Sequence, residues 1–222
     1  MRRSVLLTLG LFAGAAAFSA CRDAAVAPVD RAVPVVLEAP TVNLNELAAS
    51  RTGISFWITI DPRRDNLYSD GINSIRIPAG AICDPATSSY GPAYWDAPCT
   101  AASAPIAMPV RVSLLNQRLV LYFGKDLRFV PTADPAKQVQ LVVSAPKVKT
   151  TSEPLSAYDI LWIPSSGDTF VDEAKSDPSL ATVVLRDQGR IVRRLKHFSG
   201  YYVHLGFTSE CDPNLDIGCM PR

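Results

Sequence analysis

Only two histidines, His197 and His204, occur in the 222 residues, and no two cysteines are spaced as C-x-x-C. Zinc sites draw on such clusters, so the sequence offers no ligand set for zinc, and no cofactor is expected. Charge of one sign is lacking too: 22 basic side chains face 21 acidic ones, a net charge of +1. A near-neutral chain without a basic stripe is not built to hold nucleic acid or to bind a membrane by charge. Neither the G-x-S-x-G of a nucleophile elbow nor the G-x-x-x-x-G-K of a phosphate loop is present, which removes two large enzyme classes. Beyond residue 20 there is no sustained helical period and no repeat of solenoid or propeller length, so helical bundles and repeat arrays are excluded.

What the chain does have begins at its amino end. Arg2 and Arg3 precede an apolar and small-residue stretch from Val5 to Phe18, followed by Ser19, Ala20 and Cys21. A positive start, a short apolar run and small residues before a cut describe a secretory signal peptide, too short to span a bilayer. Phe18-Ser19-Ala20-Cys21 resembles the bacterial lipobox, with Phe18 where leucine is commoner. That resemblance implies a lipoprotein signal peptide over residues 1–20 and a lipid-modified Cys21 as the first mature residue. An ordinary signal peptide with a chance cysteine is the alternative. Loss of residues 1–20 removes Arg2 and Arg3 and leaves 20 basic and 21 acidic side chains, so attachment has to come from lipid. Each buried methylene contributes ~0.8 kcal/mol, and two or three acyl chains such as palmitate anchor stably. Arg22 stands where an aspartate often retains lipoproteins in the inner membrane, with Asp23 one place later. The expected address is the cell envelope, outer membrane rather than inner, and the expected partner is the membrane itself through that lipid.

Four cysteines remain: Cys83, Cys99, Cys211 and Cys219. An even number outside the cytoplasm reads as disulfides. Three pairings are open, and the local pairs Cys83–Cys99 and Cys211–Cys219, each flanked by turn residues, are favoured. The first encloses 15 residues, and closing a loop of that size contributes on the order of 3 kcal/mol in the chain-entropy account.

Residues 21–50 are rich in Ala, Val and Pro without a steady period and read as a tether with one early strand. A flexible chain of this length reaches roughly 30 Å. From Ile54 the pattern changes. Ile54, Phe56, Ile58 and Ile60 alternate with Ser55, Trp57 and Thr59, the mark of a half-buried strand. The same grammar recurs at 73–77, 110–115, 119–123, 138–143, 158–163, 182–186, 190–195 and 197–205, with Asp61-Pro62, Ser69-Asp70-Gly71, Ser165-Ser166-Gly167-Asp168 and Asp187-Gln188-Gly189 as turns. With 18 prolines, this predicts an all-β, antiparallel β-sandwich of about nine short strands over 51–209. A disulfide-closed tail is expected over 210–222.

Ile77-Pro78-Ala79-Gly80-Ala81-Ile82, the strand Tyr122-Phe123-Gly124-Lys125-Asp126-Leu127-Arg128-Phe129-Val130-Pro131 and the closing His197-Phe198-Ser199-Gly200-Tyr201 resemble motifs of the ZU-five domain and its bacterial relatives. That domain is shared by zonula-occludens proteins, ankyrins and netrin receptors. The similarity covers about residues 54–207, and the Cys83 to Cys99 insertion departs from the animal pattern. It implies a β-sandwich that serves as a binding or structural interaction module, and not an enzyme; an envelope protein or glycan is the partner expected for such a module. It also implies an alternative, because some animal members cut themselves at His-Phe-Ser. Ser199 would attack the carbonyl of Phe198, with His197 as base and an ester formed by N-to-O acyl shift. On a regular strand the Cα atoms of His197 and Ser199 stand ~6.6 Å apart, so their contact requires a bend. Otherwise the segment is an ordinary strand.

The remaining candidates are weaker. Tyr90, Tyr94 and Trp95 lie in the Cys83 to Cys99 loop and would form a binding surface if exposed, or a lid if Trp95 folds back. Arg186, Arg190, Arg193, Arg194 and Lys196 form a basic cluster whose default reading is a solvated strand face, the alternative being contact with an anionic glycan or phosphate. Asp212, Asn214 and Asp216 alternate like calcium ligands, but Gly218 falls one place late. Asp172 and Glu173 are adjacent and, on a strand, would face opposite ways. No group to orient His197, as a hydrolase acting on external substrate would need, is identifiable.

Overall fold

The computed structural model describes residues 35–38, 41–43, 46, 47, 50, 52–115, 118–164 and 169–205, all within the compact unit Pro34–Arg222. The expectations for residues 1–20, Cys21, Cys211, Cys219, Asp212, Asn214, Asp216 and the turn at 165–168 lie outside them.

Eleven strands occur among the described residues: β1 (Val35–Glu38), β2 (Ile54–Ile60), β3 (Asn66–Ser69), β4 (Asn73–Ile77), β5 (Ile106–Leu115), β6 (Arg118–Phe123), β7 (Val139–Ser144), β8 (Tyr158–Ile163), β9 (Val183–Leu185), β10 (Arg190–Leu195) and β11 (Gly200–Leu205). They form two sheets, ordered β1-β3-β4-β7-β10-β9 and β2-β5-β6-β11-β8. The architecture is the all-β sandwich that the alternation predicts. Ile58 and Ile60 of β2, Met108 and Val110 of β5, Ile75 and Ile77 of β4 and Leu141 and Val143 of β7 all enter one core cluster. Pleating turns every second side chain inward, and burial of each aliphatic one contributes about 1.5–3 kcal/mol.

Three departures from the sequence reading have physical causes. Strand β3 was not anticipated, because Asn-Leu-Tyr-Ser carries little apolar signal. Asn66 is nevertheless fully buried, its amide nitrogen donating to the carbonyls of Asp61 and Arg64 at 2.8 and 2.7 Å. The body also starts earlier than residue 51. Strand β1 pairs with β3, and in parallel, the one exception to antiparallel pairing among the described residues. Val42 and Leu47, in the stretch read as tether, are core residues. Finally, the predicted strand 197–205 is shortened: Lys196 to Ser199 leave the first sheet after β10 and cross to the second, where β11 begins at Gly200.

That crossing is tied down by backbone bonds. The amides of Phe129, Phe198 and Phe123 donate to the carbonyls of Lys196, Leu127 and Ser199 at 2.8, 2.7 and 2.9 Å. Gly200 follows because space is short: a Cβ there would lie 3.0 Å from Ile163 Cβ and 3.0 Å from the Tyr122 ring.

A buried cluster at the sheet crossover

The bend between β10 and β11 brings His197 and Ser199 together. Ser199 Oγ lies 3.2 Å from His197 Nδ1, so the departure from a regular strand meets the geometric condition for their contact. His197 is fully buried and Ser199 is 7% exposed. Phe198 between them is fully buried, stacked on Phe123 at 4.6 Å and edge-on to Phe129 at 4.8 Å.

The other imidazole nitrogen has an acid. Glu173 Oε1 lies 3.1 Å from His197 Nε2, and Glu173 Oε2 accepts from Arg193 Nη2 at 3.3 Å. A carboxylate can only accept, so Nε2 carries the hydrogen, and in the neutral ring Nδ1 then has its lone pair for the Ser199 hydroxyl. On a strand, Glu173 would face away from its neighbour Asp172. The segment is instead a short 3-10 turn, Glu173–Lys175, which Asp172 caps by accepting from the Ala174 amide. Both acids then reach Arg193, at 3.9 and 3.3 Å.

Arg193 itself departs from the expected solvated face. Residues of β10 alternate, and Arg193 shares the inward face with Ile191 and Leu195, fully buried. Asp159 Oδ1, 3.4 Å from Nη1, joins Asp172 and Glu173 as its counter-charges. A buried cation is tolerated only when paired and hydrogen-bonded. The other members of the basic cluster diverge. Arg190 is exposed, Arg194 half-buried, and Arg186 donates to the Thr151 carbonyl at 3.3 Å. Lys196 pairs with Asp96 at 2.6 Å and Asp177 at 2.7 Å.

The Cys83–Cys99 disulfide is formed, with Cα atoms 5.7 Å apart. Its loop folds back on the crossover. Trp95, 9% exposed, stacks on the His197 imidazole at 4.0 Å, and Trp162 meets the same ring edge-on at 5.1 Å. Tyr90 is half-buried; its hydroxyl donates to the Phe198 carbonyl at 2.7 Å and lies 3.3 Å from His197 Nδ1. Tyr94 alone of the three loop aromatics is exposed, at 45%. The fully buried Tyr201 hydroxyl donates to the His197 carbonyl at 2.6 Å. Burial pushes the pKa of both tyrosines up, Ser199 pulling the other way in each, so both phenols keep their protons.

Chemically, the arrangement holds a hydroxyl, a base aimed at its proton, an acid orienting that base, and a peptide carbonyl directly before the hydroxyl. The ring nitrogens exchange the roles they have in serine proteases, where Nε2 faces serine and Nδ1 the acid. Trp95, Trp162 and Tyr201 enclose the imidazole, and the carbonyl directly before the hydroxyl is that of Phe198 in the chain's own backbone. No family model, no curated protein and no solved structure matches the chain.

Proposed function

We propose that the chain is a lipid-anchored cell-envelope protein, with a ZU-five-like β-sandwich that cuts its own backbone between Phe198 and Ser199. The observation that carries the cutting is the relay Glu173–His197–Ser199, with contacts of 3.1 and 3.2 Å. The anchoring rests on the signal sequence and Cys21. Of the three aromatics on which an interaction surface would rest, Tyr90 and Trp95 are committed to the His197 side, so self-cutting accounts for more of the structure than a binding module does.

In the reaction, His197 Nδ1 takes the hydroxyl proton as Ser199 Oγ bonds to the carbonyl carbon of Phe198. The C–N bond then breaks, the proton passes to the Ser199 nitrogen, and an ester joins Phe198 to Ser199 Oγ. Water adds to the ester, releasing a carboxylate at Phe198 and restoring the Ser199 hydroxyl. Glu173 holds the ring and stabilises the imidazolium in between. Attack within one residue requires no encounter, which lowers the entropic part of the barrier.

The test is a denaturing gel and intact-mass time course on the full chain. A fragment of 24 residues starting at Ser199 is expected, absent in Ser199→Ala. A parent chain that stays whole through prolonged incubation removes the reading. Fatty-acid labelling lost in Cys21→Ser tests the anchor separately.

A further inference from the structure

The relay above accounts for the nucleophile but not for the charge that its attack creates. As Ser199 Oγ adds to Phe198, the carbonyl oxygen of Phe198 becomes an oxyanion. Preorganised donors at that position are among the largest contributions an enzyme makes. Three consecutive carbonyls at the crossover each have a donor, and the donors differ. Tyr201 serves His197, the Phe123 amide serves Ser199, and Tyr90 serves Phe198 at 2.7 Å. Among the described residues, Tyr90 is therefore the group placed on the oxygen that changes charge.

Tyr90 is not held there by its own segment alone. The loop is closed at its base by Cys83–Cys99. The nearly buried Arg128 donates to its carbonyls at Ser89, Ala97 and Pro98, at 2.9, 2.6 and 3.2 Å. Lys196, next to His197, pairs with Asp96 of the same loop at 2.6 Å. Five charge-assisted donors in a fixed fork suit a guanidinium to hold several carbonyls at once. The loop is thus a rigid carrier that brings a phenol to one peptide oxygen. Because Tyr90 gives its hydrogen to Phe198, it leaves His197 Nδ1 to Ser199.

We infer that Tyr90 is a catalytic residue of the proposed cut, its hydroxyl polarising the Phe198 carbonyl and stabilising the oxyanion formed on it. This rests on the self-cutting reading. Tyr90 keeps its proton throughout: the hydrogen bond shortens as negative charge grows, and relaxes when the C–N bond breaks and the ester carbonyl forms. The proton that moves is the one His197 carries from Ser199 Oγ to the Ser199 nitrogen, so the balance of the reaction is unchanged.

The test is a cell-free synthesis of the full chain in a glutathione-buffered oxidising medium, followed in time on denaturing gels. Parent, Ser199→Ala, Tyr90→Phe and Tyr94→Phe are run together, Tyr94 being the exposed tyrosine of the same loop. Tyr90→Phe is expected to slow cutting by about 10²–10³-fold, the loss typical of one oxyanion donor, while Tyr94→Phe cuts at the parent rate. Tyr90→3-fluorotyrosine keeps the shape and strengthens the donor, and is expected to cut faster than the parent. It decides the matter should the phenylalanine variant not fold. Parent-rate cutting by a folded Tyr90→Phe, or by the fluorinated chain, overturns the inference and leaves self-cutting intact. A parent as inert as Ser199→Ala removes the self-cutting reading, and with it this role for Tyr90.

Discussion

Glu173 and Arg193, 20 residues apart, share a hydrogen bond of 3.3 Å in the core, and the other oxygen of the same carboxylate holds His197. One acid thereby does two jobs: it neutralises a buried guanidinium and selects the imidazole tautomer that leaves Nδ1 free to accept. The Arg193 side chain in turn keeps Glu173 from swinging away, since its second and third partners, Asp159 and Asp172, fix it from the other side.

Glu173→Gln separates these two jobs. The neutral amide cannot stabilise an imidazolium, so cutting should fall by about 10³–10⁴-fold, as when the acid of a catalytic triad is replaced. The same change leaves Arg193 short of one counter-charge, and removing one partner of a buried ion pair costs roughly 3–5 kcal/mol. Urea unfolding of Glu173→Gln in a Ser199→Ala background, where no cut occurs, measures the second effect alone. Unfolding energies equal to those of Ser199→Ala would mean that the pair contributes nothing.

Removing the staple should affect both stability and reaction. Cys83→Ala combined with Cys99→Ala is expected to lose about 3 kcal/mol of unfolding free energy. It should also cut more slowly, because the loop that brings Tyr90 to Phe198 is less constrained. Thiol reductant added to the parent chain should have the same effect. Arg128→Met, which removes the grip on the Ser89, Ala97 and Pro98 carbonyls, should slow cutting while the disulfide still forms, as seen by non-reducing electrophoresis.

After cutting, the carboxyl-terminal piece should remain in place. Strand β11 lies between β6 and β8 in the sheet interior, and Tyr201, Val203 and Leu205 are buried. Burial of those three side chains alone contributes several kcal/mol, at about 1.5–3 kcal/mol each for side chains of this size. The two pieces should therefore elute together from a sizing column in native buffer and part only in denaturant. Separate elution in native buffer would contradict the packing of β11. Gly200→Ala should weaken the complex by about 1–3 kcal/mol, the usual cost of overpacking, because its methyl group meets Ile163 and Tyr122 at 3.0 Å.

A pH dependence follows from His204. Burial, followed by the nearby Arg118, lowers its pKa below the ordinary histidine value of 6.5. The unfolded chain then binds the proton more readily than the folded one, so folding stability is full above about pH 6.5 and declines as the pH falls through the folded value. Urea midpoints measured between pH 7.5 and 5 in the Ser199→Ala background should fall, and His204→Gln should flatten that slope. A slope unchanged by His204→Gln would assign it to other groups.

The strands were legible because a sheet repeats every two residues: β2, β4, β8 and β10 have the limits that alternation predicts. Strand β3 was hidden because its buried positions are Asn66, held by hydrogen bonds to backbone carbonyls, and Tyr68, a polar-tipped residue whose ring joins the core while its hydroxyl donates to the Thr59 carbonyl. Arg193 sat on the inward face of a correctly placed strand and was still read as solvated, because charge at a core position signals exposure until its counter-charges are seen. The hydroxyl of Ser199 and the imidazole of His197 were visible as neighbours in a short motif. The acid was not, since Glu173 stands in a 3-10 turn whose position relative to His197 depends on how β8, β10 and the intervening chain pack.

Local chemistry alone therefore determined the alternating strands, the turns, the cysteine pair at 83 and 99 and the hydroxyl beside a histidine, since each depends on residues a short distance apart along the chain. Tertiary structure decided what those residues do. The crossing from one sheet to the other bends His197 onto Ser199, the stapled loop turns Tyr90 and Trp95 inward, and Glu173 arrives from a separate segment. Contacts between residues 24 and 108 positions apart are set by the packing of the whole sandwich, and no periodicity within a strand encodes them.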